Sequence, residues 1–326
     1  MLLLKKLGAE VFGYGLNLDS SNKLYKDAKI SSYLSNEQIA DIRDYDSLNT
    51  YMNTVQPEYV IHLAAQSLVR KSYSEPLETV STNVLGTANV LIASLNTASV
   101  QLIINVTTDK VYKNDNSNHA FSETDELGGD DVYSGSKAAV EVVSHAISSS
   151  LNTRKAHIVN VRAGNVIGGG DWAEDRLIPD IVKASQESEP LTVRNPASTR
   201  PWQHVLDCLH GYLLLVQQNI ENPTFNFPTA VNFGPSDSMS VQDVIHIFSE
   251  KFDFKHNSPK SEILQQEKQY LRLNSRLAFE TLLWEPFFSV REAVERTAAW
   301  YESYFAGEGS LQLMQNEIQW FLEKTK

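Results

Sequence analysis

Several things are scarce in this sequence, and each scarcity excludes a class of protein. One cysteine, Cys208, stands among 326 residues, so neither an internal disulfide framework nor a cysteine-rich metal site can be built. A lone thiol after Asp207 in an apolar stretch reads as buried and inert. No apolar run approaches the length of a membrane span. The opening Met1–Gly8 has too short an apolar run for a signal peptide, and its lysines follow that run. A cytoplasmic location is therefore expected. Positive charge is in deficit: 28 Lys and Arg against 40 Asp and Glu leave a formal charge of −12. That opposes a nucleic-acid or anionic-membrane partner and leaves room only for a local basic pocket. No repeat, low-complexity tract or long linker interrupts the chain, and no residue cluster calls for a metal.

What is present is ordinary in bulk and specific in detail. Hydrophobic residues at 42% and charged residues at 21% describe a globular chain able to bury one large core or two modest ones. Leu2–Leu7 with Gly8 reads as a helix end, and Glu10–Leu16 as a short strand. Asn36–Ile39 leads into Asp41-Ile42-Arg43-Asp44, and Tyr45–Val55 continues as a helix. Tyr59–Ala65 and Gln101–Val106 are apolar runs suited to buried parallel strands, with the helical periodicity of Val80–Leu95 between them. A long helix over Asp131–Leu151 precedes a strand at His157–Arg162. This alternation predicts an α/β fold with a doubly wound, parallel Rossmann-type sheet. Beyond Asn165 the pattern loosens: helices at Leu177–Glu187, Val205–Gln218, Val241–Phe252 and Val290–Phe305, short strands at Leu191–Arg194 and before Gly234. Residues 1–165 with 200–222 are expected to form a nucleotide-binding domain. Residues 166–199 with 223–326 are expected to form a smaller substrate domain over the carboxyl ends of the strands.

Two short stretches carry the chemistry. In Tyr133-Ser134-Gly135-Ser136-Lys137 a tyrosine and a lysine four residues apart rise from one helix face. A nearby ammonium favours the phenolate, making Tyr133 a proton acceptor for a sugar or alcohol hydroxyl. In Val106-Thr107-Thr108-Asp109-Lys110 a hydroxyl, a carboxyl and an amine follow an apolar run. Three acid–base groups in a row suit a reaction with more than one proton transfer. His62, on an apolar strand, reads as a satisfied core histidine, and His204 beside Trp202 as a packed or substrate-facing one. Trp300, Tyr301, Tyr304 and Phe305 lie at helical spacing and read as core or an oligomer contact.

With these motifs, Asp41–Asp44, His62-Leu63-Ala64-Ala65-Gln66 and Ser81-Thr82-Asn83-Val84-Leu85-Gly86-Thr87, the chain resembles the extended short-chain dehydrogenase/reductase family. Within it the chain is most similar to the CDP-glucose 4,6-dehydratases. The long matches are Val161–Ala173, Asp175–Asp180 and Arg200–Val205, and Lys110 is the mark of the CDP-sugar branch. The resemblance implies NAD, held through Asp41 and Ile42 near adenine, Leu63, Ala64 and Ala65 toward the pyrophosphate, and Tyr133 and Lys137 at the nicotinamide ribose. It places Asn165, Arg200 and Asn232 on the nucleotide-sugar side, with Asn83 bracing the sheet–helix packing. It also implies a CDP-sugar substrate, a homodimer or higher homo-oligomer, and a role in deoxy-sugar and surface-polysaccharide synthesis.

The implied reaction has a proton task for each group. Tyr133, with Lys137 and Thr108, takes the sugar 4-hydroxyl proton. Lys110 removes the C5 hydrogen, and Asp109 protonates the departing 6-hydroxyl. Such a role requires Lys110 neutral and Asp109 protonated, each against its reference pKa.

Departures from the family pattern keep alternatives open. The opening strand and glycine-rich turn that cradle a pyrophosphate have no counterpart upstream of Gly8, so an amino-terminal truncation is expected. Tyr14-Gly15-Leu16 stands where many relatives place a ribose-binding aspartate, leaving Asp19 as a weak candidate. Leu283 precedes Trp284-Glu285-Pro286 where glycine is usual. A related epimerase, or a non-catalytic sugar-nucleotide binder unable to hold NAD, are the competing readings.

Overall fold

The computed structural model describes residues 1–16, 23–153, 156–187, 189–257, 268 and 270–325. Asp19 lies outside them. The central sheet is parallel and four-stranded, in the order β6-β5-β4-β3, from β3 (Tyr59–His62), β4 (Leu102–Val106), β5 (His157–Ala163) and β6 (Ala230–Phe233). A separate parallel pair joins β1 (Phe12–Gly15) to β2 (Asn36–Ile39).

Side chains alternate across the central strands, as the two-residue period of a strand requires. Ile103 and Ile158 point to one face, where they meet Leu48 and Met52 of α2 (Tyr45–Val55), Leu91 of α3 (Gly86–Asn96) and Ile147 of α4 (Val132–Leu151). Leu102, Ile104, Val159 and Val161 point to the other, against Tyr212 and Leu215 of α6 (Val205–Glu221) and against Trp284. Helices on both faces of a parallel sheet make the doubly wound α/β architecture. Each fully buried aliphatic side chain there contributes about 1.5–3 kcal/mol.

A third cluster lies beyond the sheet. It joins α5 (Leu177–Gln186), α7 (Val241–Ser249), α8 (Val290–Phe305) and α9 (Ser310–Lys324) through Ile181, Phe248, Trp300, Tyr301 and Phe321. Trp300 and Tyr301 are thus core residues. Leu3 of α1 (Leu2–Lys6) is buried in the same cluster.

The elements depart from the expected bounds in ways packing explains. Tyr59–Ala65 is a strand only to His62. Its apolar residues are half-buried, because among the described residues β3 pairs with β4 on one side only. Val80–Leu95 is interrupted by a π-helical stretch, Ser81–Leu85, before α3. β6, expected in the smaller domain, is hydrogen-bonded to β5 inside the main sheet. It belongs to the same core as the strands before it.

Candidate active site

The chain leaves β4 at Val106 and enters a short 3₁₀ turn, Asp109–Val111, with Thr108 as its cap. The Thr108 hydroxyl accepts from the Lys110 amide at 3.3 Å and donates to Asp109 Oδ1 at 3.2 Å. Opposite it begins α4, capped by Asp131, whose carboxylate accepts from the Ser134 amide at 2.9 Å and the Ser134 hydroxyl at 2.6 Å. That cap sets Tyr133 in the first turn of the helix, facing the turn at Thr108.

Tyr133 is buried, and its hydroxyl hydrogen-bonds to Thr108. Burial pushes its pKa up to about 12, with the Thr108 hydrogen bond pulling it down, Asp109 raising it, and Arg176 lowering it. The expected lowering by Lys137 is not what the structure shows. The Lys137 ammonium instead donates to the Val106 carbonyl at 3.1 Å. Burial depresses Lys137 to about 8, against the opposing charge of Glu141. A polarised tyrosine hydroxyl beside a hydroxyl relay, with a partly deprotonated amine one turn away, can accept and pass on a proton.

Asp109 has the most unusual environment. It is buried, and its Oδ2 makes no hydrogen bond among the described residues. Burial raises its pKa to about 6, against the lowering effect of Lys110, Thr108 and Arg200. Gly164 explains the fit: a Cβ there would stand 3.2 Å from that Oδ2 and 2.8 Å from Pro201 Cγ. A side chain would fill the space in front of the acid. The demand that Asp109 hold a proton near neutrality thus has a physical cause, desolvation. Lys110, half-buried on the same turn, lies close enough for its charge to act on Asp109.

The substrate-side residues separate. Arg200 is buried, donates to the Thr199 carbonyl at 2.8 Å, and acts electrostatically on Asp109. Asn165 follows Gly164 and is half-buried. Its carbonyl accepts from the Gln203 amide at 3.0 Å, while its side chain has no hydrogen bond among the described residues. Asn232 must be corrected. It is fully buried, accepts from Tyr112 at 2.7 Å, and donates to the carbonyls of Phe121 and Asn274 at 2.9 and 3.2 Å. With both side-chain atoms committed, it ties strands together and is not placed to meet a ligand. His204 resolves to the packed reading: fully buried, accepting from the Leu206 amide, with its ring against Phe288.

The residues expected near adenine and pyrophosphate form a second group. Asp41 accepts from Arg43 through its backbone amide and guanidinium at 2.6–3.0 Å. Arg43 in turn donates to Glu78 at 2.6 Å. Ile42 is buried against Gly86, where an added Cβ would stand 2.5 Å from Ile42 Cδ1. Leu63 is 62% exposed, and Ala64 and Ala65 are half-buried on the loop after β3. Asn83 holds that loop: it accepts from the Gln66 amide at 2.8 Å and donates to the Gln66 carbonyl and to the Ser136 hydroxyl on α4. His62 bonds Thr87 at 2.9 Å, and burial depresses it to about 3, a core histidine as read. Cys208 is buried, with its thiol pushed up to about 12, and is inert.

These residues suit the reacting end of a nicotinamide dinucleotide, where Tyr133, Lys137 and Thr108 converge. They supply no glycine-rich cradle for its pyrophosphate among the described residues. Sequence reasoning missed Arg176, whose charge reaches Tyr133 from the loop before α5. It also missed the buried ion pair of Arg162 with Glu141 behind the site. Arg162 and Arg176 both fall within the long family matches, but those stretches do not say which distant groups the two guanidinium groups reach.

Known proteins resemble this chain in sequence and in shape. The family model described as GDP-mannose 4,6 dehydratase matches residues 2–297. A CDP-glucose 4,6-dehydratase of Salmonella typhimurium is 35% identical over 99% of this chain and 92% of its own length. A human dTDP-D-glucose 4,6-dehydratase is 24% identical over 81% of this chain and 74% of its own. Among solved structures, the Bacillus cereus UDP-glucuronic acid 4-epimerase in complex with UDP-glucuronic acid and NAD superposes with a TM-score of 0.78. It has 22% identity and covers 93% of this chain and 94% of that one. DesIV, a dTDP-glucose 4,6-dehydratase from Streptomyces venezuelae with NAD and TYD bound, also gives 0.78, at 20% identity over 93% of each chain. By the family match and the 35% identity along nearly its whole length, this chain belongs to the GDP-mannose 4,6 dehydratase family of extended short-chain dehydrogenase/reductases.

Proposed function

We propose that the chain catalyses the NAD-dependent dehydration of CDP-glucose to CDP-4-keto-6-deoxyglucose. The observation that carries this reading is Asp109: a buried carboxyl with one oxygen that makes no hydrogen bond among the described residues, its pKa raised by burial to about 6, adjacent to a lysine. Elimination of water needs an acid for the leaving hydroxyl and a base for the neighbouring carbon-bound hydrogen. Exchange of configuration at C4 needs neither. The CDP-sugar assignment rests on Lys110 and on the similarity to a protein described as CDP-glucose 4,6-dehydratase.

Tyr133 takes the 4-hydroxyl proton as its own passes to Thr108, whose hydroxyl proton moves to Asp109 Oδ1, to which it already donates at 3.2 Å. Lys137 holds the Val106 carbonyl, which fixes the end of β4 relative to α4. Once C4 is a ketone the C5 hydrogen is acidic; Lys110 removes it and returns a proton to C5 when C6 is reduced. Asp109 delivers its proton to the 6-hydroxyl, which leaves as water. Arg200 meets the diphosphate, since a guanidinium binds phosphate oxygens bidentately, and Asn165 lies beside it on the sugar side. NAD would be held at its nicotinamide ribose by Tyr133 and Lys137, near adenine by Asp41 and Ile42, and toward its pyrophosphate by the Leu63–Ala65 loop, and when bound it would supply reversible hydride acceptance.

Incubation of the full chain with CDP-glucose and NAD tests the reading. Formation of the 4-keto-6-deoxy sugar nucleotide is expected. A C4 epimer would favour an epimerase, and absence of both product and NAD binding would favour a sugar-nucleotide binding protein. Lys110→Met is expected to abolish exchange of the C5 hydrogen with solvent. Unchanged exchange would remove Lys110 from its role.

A further inference from the structure

Asp109 and Lys110 sit on a turn of three residues. A single 3₁₀ turn has too few internal hydrogen bonds to hold catalytic groups in place. Its flanks are Thr107 and Tyr112, and both reach the same buried pair. The Thr107 hydroxyl donates to Glu141 Oε1 at 2.7 Å. The Tyr112 hydroxyl accepts from Arg162 Nη1 at 2.7 Å and donates to Asn232 Oδ1 at 2.7 Å. Arg162 donates to both Glu141 oxygens through Nε, at 2.9 and 3.0 Å, and again through Nη2. Their side chains are 4% and 3% exposed.

We infer that the Arg162–Glu141 pair is a positioning device, a staple that fixes both flanks of the Thr108–Val111 turn to β5 and α4 and so sets Asp109 and Lys110 against Tyr133. The inference rests on the dehydratase reading for its catalytic meaning and on the hydrogen bonds alone for its geometry. Three features favour it over simple packing. A buried ion pair gives little net stability over an apolar pair of equal volume, and its better-attested use is to specify one arrangement. The pair touches the turn on both sides, through a threonine before it and a tyrosine after it. Glu141 also stands one helical turn beyond Lys137 on α4, and its charge opposes the depression of that lysine by burial. One carboxylate thus serves the turn and the helix that face each other.

Glu141→Gln would strand Arg162 as an unpaired buried charge and unfold much of the chain, so gentler variants carry the test. Thr107→Val removes one tether at constant shape, Thr107→Ser restores the hydroxyl, and Tyr112→Phe removes the other tether. Each is examined as the full chain by amide hydrogen exchange with mass spectrometry and by turnover of CDP-glucose. Thr107→Val and Tyr112→Phe are each expected to lower kcat about tenfold with KM unchanged, since small misplacement of reacting groups is costly. Exchange over residues 107–112 should rise about tenfold while the sheet is unaffected, the signature of local rather than global opening. Thr107→Ser should match the native chain in both. Unchanged exchange and kcat in both variants, or a uniform rise in exchange across the sheet, would overturn the staple. If the native chain turns over no CDP-glucose, the dehydratase reading fails while the exchange experiment still decides the staple.

Discussion

Two clusters of ionisable side chains, one around Tyr133 and one around Asp41, use the same chemistry in opposite surroundings. Around Tyr133, the ionisable groups are buried: Asp109, Lys137, Glu141 and Arg162 all lie out of solvent. Around Asp41, a carboxylate–guanidinium–carboxylate chain links Asp41, Arg43 and Glu78, with side chains 28%, 30% and 43% exposed. Water screens the second set, where the Arg43 hydrogen bond holds the Asp41 carboxyl below its usual range. No such screening reaches the first set, and burial there moves an aspartic acid toward neutrality and a lysine down to about 8. The difference teaches what burial does to acid–base groups: it shifts those of the first set away from their ordinary states, while the second set stays in contact with water.

The comparison breaks hardest at Asp109. Asp109→Asn keeps the shape and removes the proton, and kcat should fall by about 10²–10⁴, the usual contribution of a positioned general acid. A decrease of less than about tenfold would move the acid elsewhere. The same substitution gives the next largest effect through pH. A carboxyl raised from 3.8 to about 6 in the folded chain is protonated in both states below its unfolded value. As pH rises through that window the unfolded chain ionises first, so folding stability falls, and the full penalty is present above the folded value. The shift corresponds to about 3 kcal/mol. Urea unfolding of native and Asp109→Asn chains between about pH 4 and pH 7 should show their stabilities diverging by that order, in favour of the variant. Parallel curves would mean Asp109 ionises normally.

The wet side should respond weakly. Arg43→Ala should cost about 0.5–1 kcal/mol, and less at high salt, as exposed ion pairs do. A loss several times larger would show that side to be as buried in function as the other. The smallest effect is a gain. Leu283 is 80% exposed and caps the Arg276–Leu282 helix in the left-handed region at φ 54°. That conformation strains any residue with a Cβ. Leu283→Gly should stabilise by about 0.5 kcal/mol, read from the thermal midpoint.

Much of this was legible along the chain, because strands and helices announce themselves by period and caps. Tyr133 and Lys137 are a helical spacing, and Thr108-Asp109-Lys110 a contiguous run. Asn232 was misread because its motif marks a strand end and says nothing about which strands it joins. Only the tertiary fold commits its amide to Tyr112, Phe121 and Asn274. The lowering of Tyr133 was assigned to Lys137 for a similar reason: helical spacing puts two side chains on one face but does not aim them. The half-burial of β3 likewise depends on which strand pairs with it.

The sequence by itself determined the order of strands and helices, the family, and the identity of the groups available for proton transfer, because these follow from local periodicity and contiguous motifs. Tertiary structure decided the charge states. Whether Asp109 is an acid or a bystander depends on how much water reaches it, and that is settled by Gly164, Pro201 and Arg200, which lie at least 55 positions along the chain. The Arg162–Glu141 pair, assembled from a strand and a helix that share no motif, is likewise a product of folding alone, because desolvation and paired charge are properties of packing and not of order along the chain.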